Sequence, residues 1–288
     1  MAPAHIPVLL DEVVNNLVDA DDRLFVDATI GGGGHGYHVL EKYPNVRLVG
    51  IDADGEALKL ARDRLSPFHD RVVLKKGNFR DLKRILQEES IDAVDAVLFD
   101  LGISMYQIGG QRGFSFSDEE SLDMRMDQEE GPSGRDVVNG YDYRSLTRVI
   151  LEYGEEGDAQ RIARAIIEAR KKKPIESAKE FAGIVAGAKR GRGRIHPATK
   201  TFQAIRMEVN RELPSIEKGL HDATDVVRPS GRIGVISFHS LEDRLVKNFF
   251  RTSDVLTVLT KKAIKPGRDE MRTNRRARSA KLRIAERI

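Results

Sequence analysis

Gly31, Gly33 and Gly36, in the run TIGGGGHG, fit the spacing G-x-G-x-x-G, in which a glycine turn lets the backbone approach a nucleotide at the start of a helix. The spacing alone does not separate one adenosine cofactor from another, but the charges around it do more. Asp27 stands four residues before the first glycine. A dinucleotide pyrophosphate is doubly negative and is repelled by an acid there, whereas the sulfonium and ammonium groups of S-adenosylmethionine are attracted. Asp52 can accept ribose hydroxyls from either cofactor. The residue types lean to a methyl donor, with a nicotinamide dinucleotide as the rival. Asn78 can hydrogen-bond a ring edge, and Phe79 can stack on a purine or plug the core. Asp100 adds a further acid.

These residues need strands to carry them. Apolar runs at 24–30, 46–51, 72–74 and 91–99 each lead to one of the polar positions, with helical spacing at 8–17, 36–43 and 55–65. Ligands of open α/β sheets bind beyond the carboxyl ends of the strands, so Asp27, Asp52, Asn78 and Asp100 are expected on one rim. The alternation stops at 103–135, a stretch rich in Gly, Ser and charge that reads as a long functional loop. Helical patterns follow at 143–153, 158–171 and 177–188, and again at 197–213 and 216–227. A strand at 232–237, the polar loop Phe238-His239-Ser240, a helix and a last strand at 280–285 close the chain. The expectation is an α/β fold with a Rossmann-like, mostly parallel sheet, interrupted by an all-helical insert. Residues 1–108 and 201–288 form the two parts of the sheet domain, and 109–200 form the active-site loop and insert.

The chain has no cysteine. That removes thiolate metal sites and disulfides, agrees with a reducing cytoplasm, and closes one reaction: methylation at C5 of a pyrimidine needs a thiol to add across the ring. No apolar run approaches the ~20 residues of a membrane span and no leader-like start is visible, so a cytoplasmic protein is expected. The net charge of +3 is unevenly spread: residues 261–288 hold 11 basic and 3 acidic residues, leaving 37 and 42 for the rest. A second basic cluster spans 170–200. Basic patches on an acidic body point to a polyanion, most simply nucleic acid. With a base as acceptor, an exocyclic amine must be hydrogen-bonded and aligned, and Asp100 is the residue suited to it. His239 and Ser240 can contact the base or relay a proton. His35 and His38 share one helical face but lack a third ligand, so no metal is expected.

Taken together, HIPVLLDEVV, VDATIGGGGHG, GIDAD, the DLG at Asp100, RGFSFSDEESLDMRMD, YGEE, RIARAI, HPATKTFQAIRMEVNREL, ISFHSLEDR and RARSAKLRIAER resemble the bacterial small-subunit ribosomal RNA cytosine-N4 methyltransferases across nearly the whole chain. The resemblance implies a class I S-adenosylmethionine-dependent fold, with the substrate a cytidine of the decoding region in 16S rRNA, free or in the assembled small subunit. It implies cofactor contacts from Gly33, Gly34, His35, Asp52, Phe79, Asp100 and Gln107. The chain departs from the family's DLGVSSPQLD at Met105 and Tyr106. The rivals are an NAD-dependent oxidoreductase and a non-catalytic RNA-binding assembly factor. The residues do not decide the oligomeric state, and a homodimer is compatible with them.

Overall fold

The computed structural model describes residues 7–103, 109, 111–190 and 195–288. Its apolar runs become strands β1 (Leu24–Asp27), β2 (Arg47–Asp52), β3 (Val72–Lys76), β4 (Val94–Asp100), β5 (Val227–Ser237), β6 (Leu256–Val258) and β7 (Lys281–Arg287). Among the described residues these form one sheet in the order β3-β2-β1-β4-β5-β7-β6. β1 to β5 are parallel, and β7 runs antiparallel between β5 and β6. The chain steps outward from β1 to β3 and then returns to β4 on the other side of β1, which makes the β1/β4 boundary a topological switch point.

Register decides where the acids fall. Asp27 lies opposite Gly50 on β2 and Leu98 on β4, so Asp52 and Asp100 each stand two residues further along a neighbouring strand. Side chains alternate with a period of two, and all three carboxyls therefore leave the same face. That face carries Phe25, Leu48 and Leu98, covered by the helices Leu10–Asn16, Gly34–Lys42 and Gly55–Leu65. The opposite face, with Val26, Ile51, Val97 and Phe99, is covered by Leu82–Glu88, Glu212–Val226 and Ser240–Thr252. Coverage of both faces explains why β1, β2 and β4 read as unbroken apolar runs.

The chain divides into two compact units, residues 1–102 with 213–288 and residues 103–212. The units meet at 102/103 and 212/213, beside the sequence boundaries at 108/109 and 200/201, and packing accounts for both ends. The described part of 103–135, up to the helix Gly134–Gly140, has no helix or strand beyond Gln111, as its composition implies, but it is packed. Phe114, Leu122 and Met124 are buried with Val149, Ile162 and Ile166, and Gly113, at φ +82°, donates its N–H to Asp118 (2.7 Å). At the other end, the helix Thr199–Val209 buries Phe202, Ala204 and Ile205 in the same core. Its C-terminus is tied down by Asn210, which accepts from Met126 N (2.8 Å) and donates to Met124 O (2.8 Å).

At the foot of β4, Asp95 is 3% exposed and accepts from the backbone N–H groups of Arg23 (2.8 Å) and Leu24 (2.7 Å) while pairing with Arg228. This one carboxylate pins the start of β1 to β4 and so sets the register above it. Asp95→Ala leaves two N–H groups without their acceptor and Arg228 with only the more distant Asp22 (3.9 Å) as counter-charge. It is expected to cost about 2–4 kcal/mol in urea unfolding; a loss below about 1 kcal/mol would show that the register is held elsewhere.

Candidate active site

The glycine turn connects β1 to the helix Gly34–Lys42 and has backbone reasons for its composition. Gly31 and Gly33 sit at φ +52° and +77°, conformations that side chains with a Cβ rarely adopt. Gly36 faces β2, and a Cβ there would fall 2.6 Å from Leu48 Cδ2, so the glycine lets the helix lie close on the sheet. The turn is held from β2: Gly31 N–H donates to Asp52 Oδ2 (2.9 Å), and Asp54 N–H donates to Asp52 Oδ1 (2.9 Å). Asp52 therefore shapes the turn and still has lone pairs for a ligand's hydroxyls. Burial pushes its carboxyl up to about 6, against these backbone bonds, which favour the charged form.

Asp27 is 1% exposed, and burial pushes its carboxyl well above the usual range, reinforced by the nearby charges of Asp100 and Asp52. Thr29 links the two strand ends. Its N–H donates to Asp27 Oδ1 (3.3 Å), and its hydroxyl oxygen accepts from the Asp100 N–H (2.6 Å). Sequence reasoning passed over Thr29: an acid accepting the N–H two residues on is a recognisable local turn, but the bond from Asp100 to the Thr29 hydroxyl joins segments 71 residues apart. His35 is 4% exposed, with Nε2 3.0 Å from the Val8 carbonyl, which fixes the proton on Nε2. Burial lowers its pKa, so the ring is neutral, and Nδ1 lies 3.9 Å from Asp100 Oδ2. His35 thus both anchors the chain ahead of the first helix and borders Asp100.

Asn78 and Phe79 follow β3. Asn78 Oδ1 accepts from Arg80 N–H (3.0 Å), which uses its oxygen as a local cap. Phe79 is half-buried, edge-to-face with Phe99 at 5.7 Å, and close enough to the helix Glu212–Val226 that a Cβ on Gly219 would lie 2.9 Å from its ring. The ring therefore packs into the core as one sequence reading expects, while part of it stays accessible.

His239 and Ser240 begin beyond β5, whose Ile236 lies opposite Asp100. The histidine caps the helix Ser240–Thr252: its Nδ1 accepts from Glu242 N–H (3.3 Å), while Glu242 Oε2 accepts from His239 N–H (3.2 Å) and Phe238 N–H (2.8 Å). This reciprocal capping box is a structural duty that the sequence reading left out, although a glutamate three residues after the cap position is its usual signature. Ser240 is exposed in the first turn. Gln107, Met105 and Tyr106 lie outside the described residues. Asp27, Asp52, Asp100, His35 and the glycine turn are thus gathered at one end of the sheet, with Asn78–Phe79 and His239–Ser240 following the ends of β3 and β5. Such an end can accept several hydroxyl or amine hydrogens and favours a cation.

A family model described as the MraW methylase family matches residues 2–288. The chain is similar to the ribosomal RNA small subunit methyltransferase H of Persephonella marina, 51% identical over 290 residues that cover 99% of both chains. The proteins of the same name from Sulfurihydrogenibium sp. (48% identical, 99% of both chains) and Carboxydothermus hydrogenoformans (46% identical, 99% of this chain and 98% of that one) are also similar.

The raised carboxyl of Asp27 has a sign that can be measured. A carboxyl whose folded pKa exceeds its unfolded value of 3.8 gives stability that is complete below that value and lost as pH rises through the folded pKa. Asp27→Asn does not titrate and can still accept from Thr29. Calorimetric melting of the ligand-free variant from about pH 4 to about pH 8 is expected to show its Tm climbing relative to the parent protein; a constant difference would refute the assignment.

Proposed function

Because the chain belongs to the MraW methylase family, we propose that it methylates the exocyclic N4 of a cytidine in the decoding region of small-subunit (16S) ribosomal RNA, with S-adenosylmethionine as cofactor. The observation that carries this reading is the convergence of Asp27, Asp52 and Asp100 on one face at one end of the sheet. That end suits a cationic methyl donor and repels a pyrophosphate, so the dinucleotide reading is set aside. A purely RNA-binding factor does not account for three acids gathered at one end of the sheet, where burial and mutual repulsion are unfavourable without a cation to offset them.

The residues fit the cofactor. Asp52 accepts the ribose hydroxyls, Asn78 and Phe79 flank the adenine, and Gly33, Gly34 and His35 bring the first turn of their helix to it. Asp27 and Asp100 face its cationic end. When bound, S-adenosylmethionine supplies an electrophilic methyl group. Asp100 accepts a hydrogen bond from the cytosine amine and turns its nitrogen toward that group, an alignment needed because the lone pair is delocalised into the ring. The methylated amine is cationic and strongly acidic, so its proton leaves without a strong base. His239 fixes the loop beside Asp100 through its cap, and Ser240 hydrogen-bonds the base. With no cysteine in the chain, the C5 route stays closed.

The cytidine must leave its stack to enter the site, so an unpaired position is the substrate. Phosphates are held by exposed cations, Lys261, Lys262, Lys265, Arg268, Arg272 and Arg275 among them. Lys281 and Arg283, counted in the basic tail, serve the sheet instead, since both bond to Asp243 at 2.7 Å and secure β7. Among the described residues no helix is long and apolar enough to cross a membrane, and we place the protein with its substrate in the cytoplasm.

The test is transfer of a labelled methyl group to small subunits, and to naked 16S rRNA, from cells lacking the modification. Asp100→Ala is expected to lower turnover at least about a hundredfold with its melting temperature retained; near-normal turnover would remove Asp100 from the mechanism.

A further inference from the structure

Two of the sequence blocks with no part in the cofactor site meet within residues 103–212. Phe116, from RGFSFSDEE, lies flat against His196, from HPATKTF, with ring centroids 4.4 Å apart and planes 16° from parallel. Phe202, from the same second block, meets Phe116 edge-on at 4.7 Å, and Phe181 lies 5.2 Å behind Phe202. The four rings form a column from core to surface. Phe181 is 0% exposed and Phe202 5%, Phe116 is half-buried, and His196 is exposed.

An exposed ring at the end of such a column is held in place. One face of His196 rests on Phe116, and Nδ1 accepts the Ala198 N–H at 3.2 Å. In the neutral ring this puts the proton on Nε2. A surface aromatic fixed in this way has already lost the rotamer freedom that binding would otherwise remove. The stretch of chain that carries His196 is basic. Residues 189–200 (KRGRGRIHPATK) contain Lys189, Arg190, Arg192, Arg194 and Lys200 and no acid. Among the described ones, Lys189 is paired with Glu156 (2.7 Å), Lys200 Nζ donates to the Glu155 carbonyl (2.8 Å), and Arg190 is exposed. A fixed aromatic face on a basic stretch of chain is the combination that holds single-stranded nucleic acid: the ring takes a base and the cations take the phosphates.

We propose that His196, backed by Phe116, is a stacking platform for an unpaired base of the RNA substrate, outside the site that holds the reacting cytidine. The proposal rests on the rRNA reading for the identity of the strand, while the geometry supplies the stack. It gives the 103–212 unit a direct part in choosing the RNA, through a residue separate from the cofactor-binding set.

The experiment uses single-stranded RNA oligonucleotides spanning the target cytidine, with 2-aminopurine placed in turn at each flanking position, and the full chain as parent, His196→Ala and His196→Phe. The phenylalanine variant keeps a ring and loses the Ala198 bond, which separates stacking from a structural role. One position is expected to be quenched by the parent and by His196→Phe. Quenching should disappear with His196→Ala, whose affinity should fall about five- to a hundredfold. The platform is overturned if the parent quenches no position, if His196→Ala binds like the parent, or if His196→Phe fails as badly as His196→Ala. Methyl transfer by the parent to 16S rRNA is measured in parallel. Transfer with no effect at His196 sinks only the platform, and a position-specific effect without transfer upholds the platform and sinks the methylation reading.

Discussion

Parallel pairing of β2, β1 and β4 is the constraint on which the rest of the site depends. Asp27 opposite Gly50 and Leu98 fixes Asp52 and Asp100 two residues further along their strands and on the same face. A slip of one residue in either pairing would move a carboxyl to the other face, among Val26, Val97 and Phe99. The glycine turn depends on the same register, because the Gly31 N–H is held by Asp52 from the neighbouring strand. The glycine turn, Asp52 and the acids Asp27 and Asp100 are in that sense one object, assembled by strand pairing before any ligand arrives.

Such an arrangement is unfavourable in the absence of a cation. Burial raises Asp27 and Asp52 toward their protonated forms, and the nearby charge of Asp100 raises Asp27 further. His35 does not relieve this, because its own burial keeps it neutral. A donor that arrives positively charged and departs neutral after giving up its methyl group would meet a site whose electrostatics favour its arrival and weaken its hold afterwards.

Strands and their polar ends were legible because apolar runs ending in acids have a physical meaning in a parallel sheet; Asp27 leaned the reading toward a methyl donor and left the dinucleotide open, and the resemblance carried the cofactor. The rest depended on contacts between distant segments. The short helix Leu82–Glu88 and strand β6 gave no separate signal; β6 has three residues and is defined by its pairing with β7. The stretch 103–135 was legible as a loop, but not as a packed one, because Phe114, Leu122 and Met124 are spaced irregularly and their burial shows only when the helices around them are in place. His239 read as a base contact, a proton relay or a structural residue, and its capping role shows only with Glu242 folded back on it. The basic tail was read as one patch, although Asp243 claims Lys281 and Arg283 for the sheet.

Asp95 lies five positions before Asp100 on β4, which at the rise of an extended strand is about 17 Å from the acid proposed to align the base amine. The clamp it makes with Arg23, Leu24 and Arg228 is remote from every residue that would touch cofactor or base. Stability and reactivity are therefore set at opposite ends of the same strand. A lineage moving to hotter or colder surroundings could retune the foot of β4 and its partners while the rim stayed chemically unchanged.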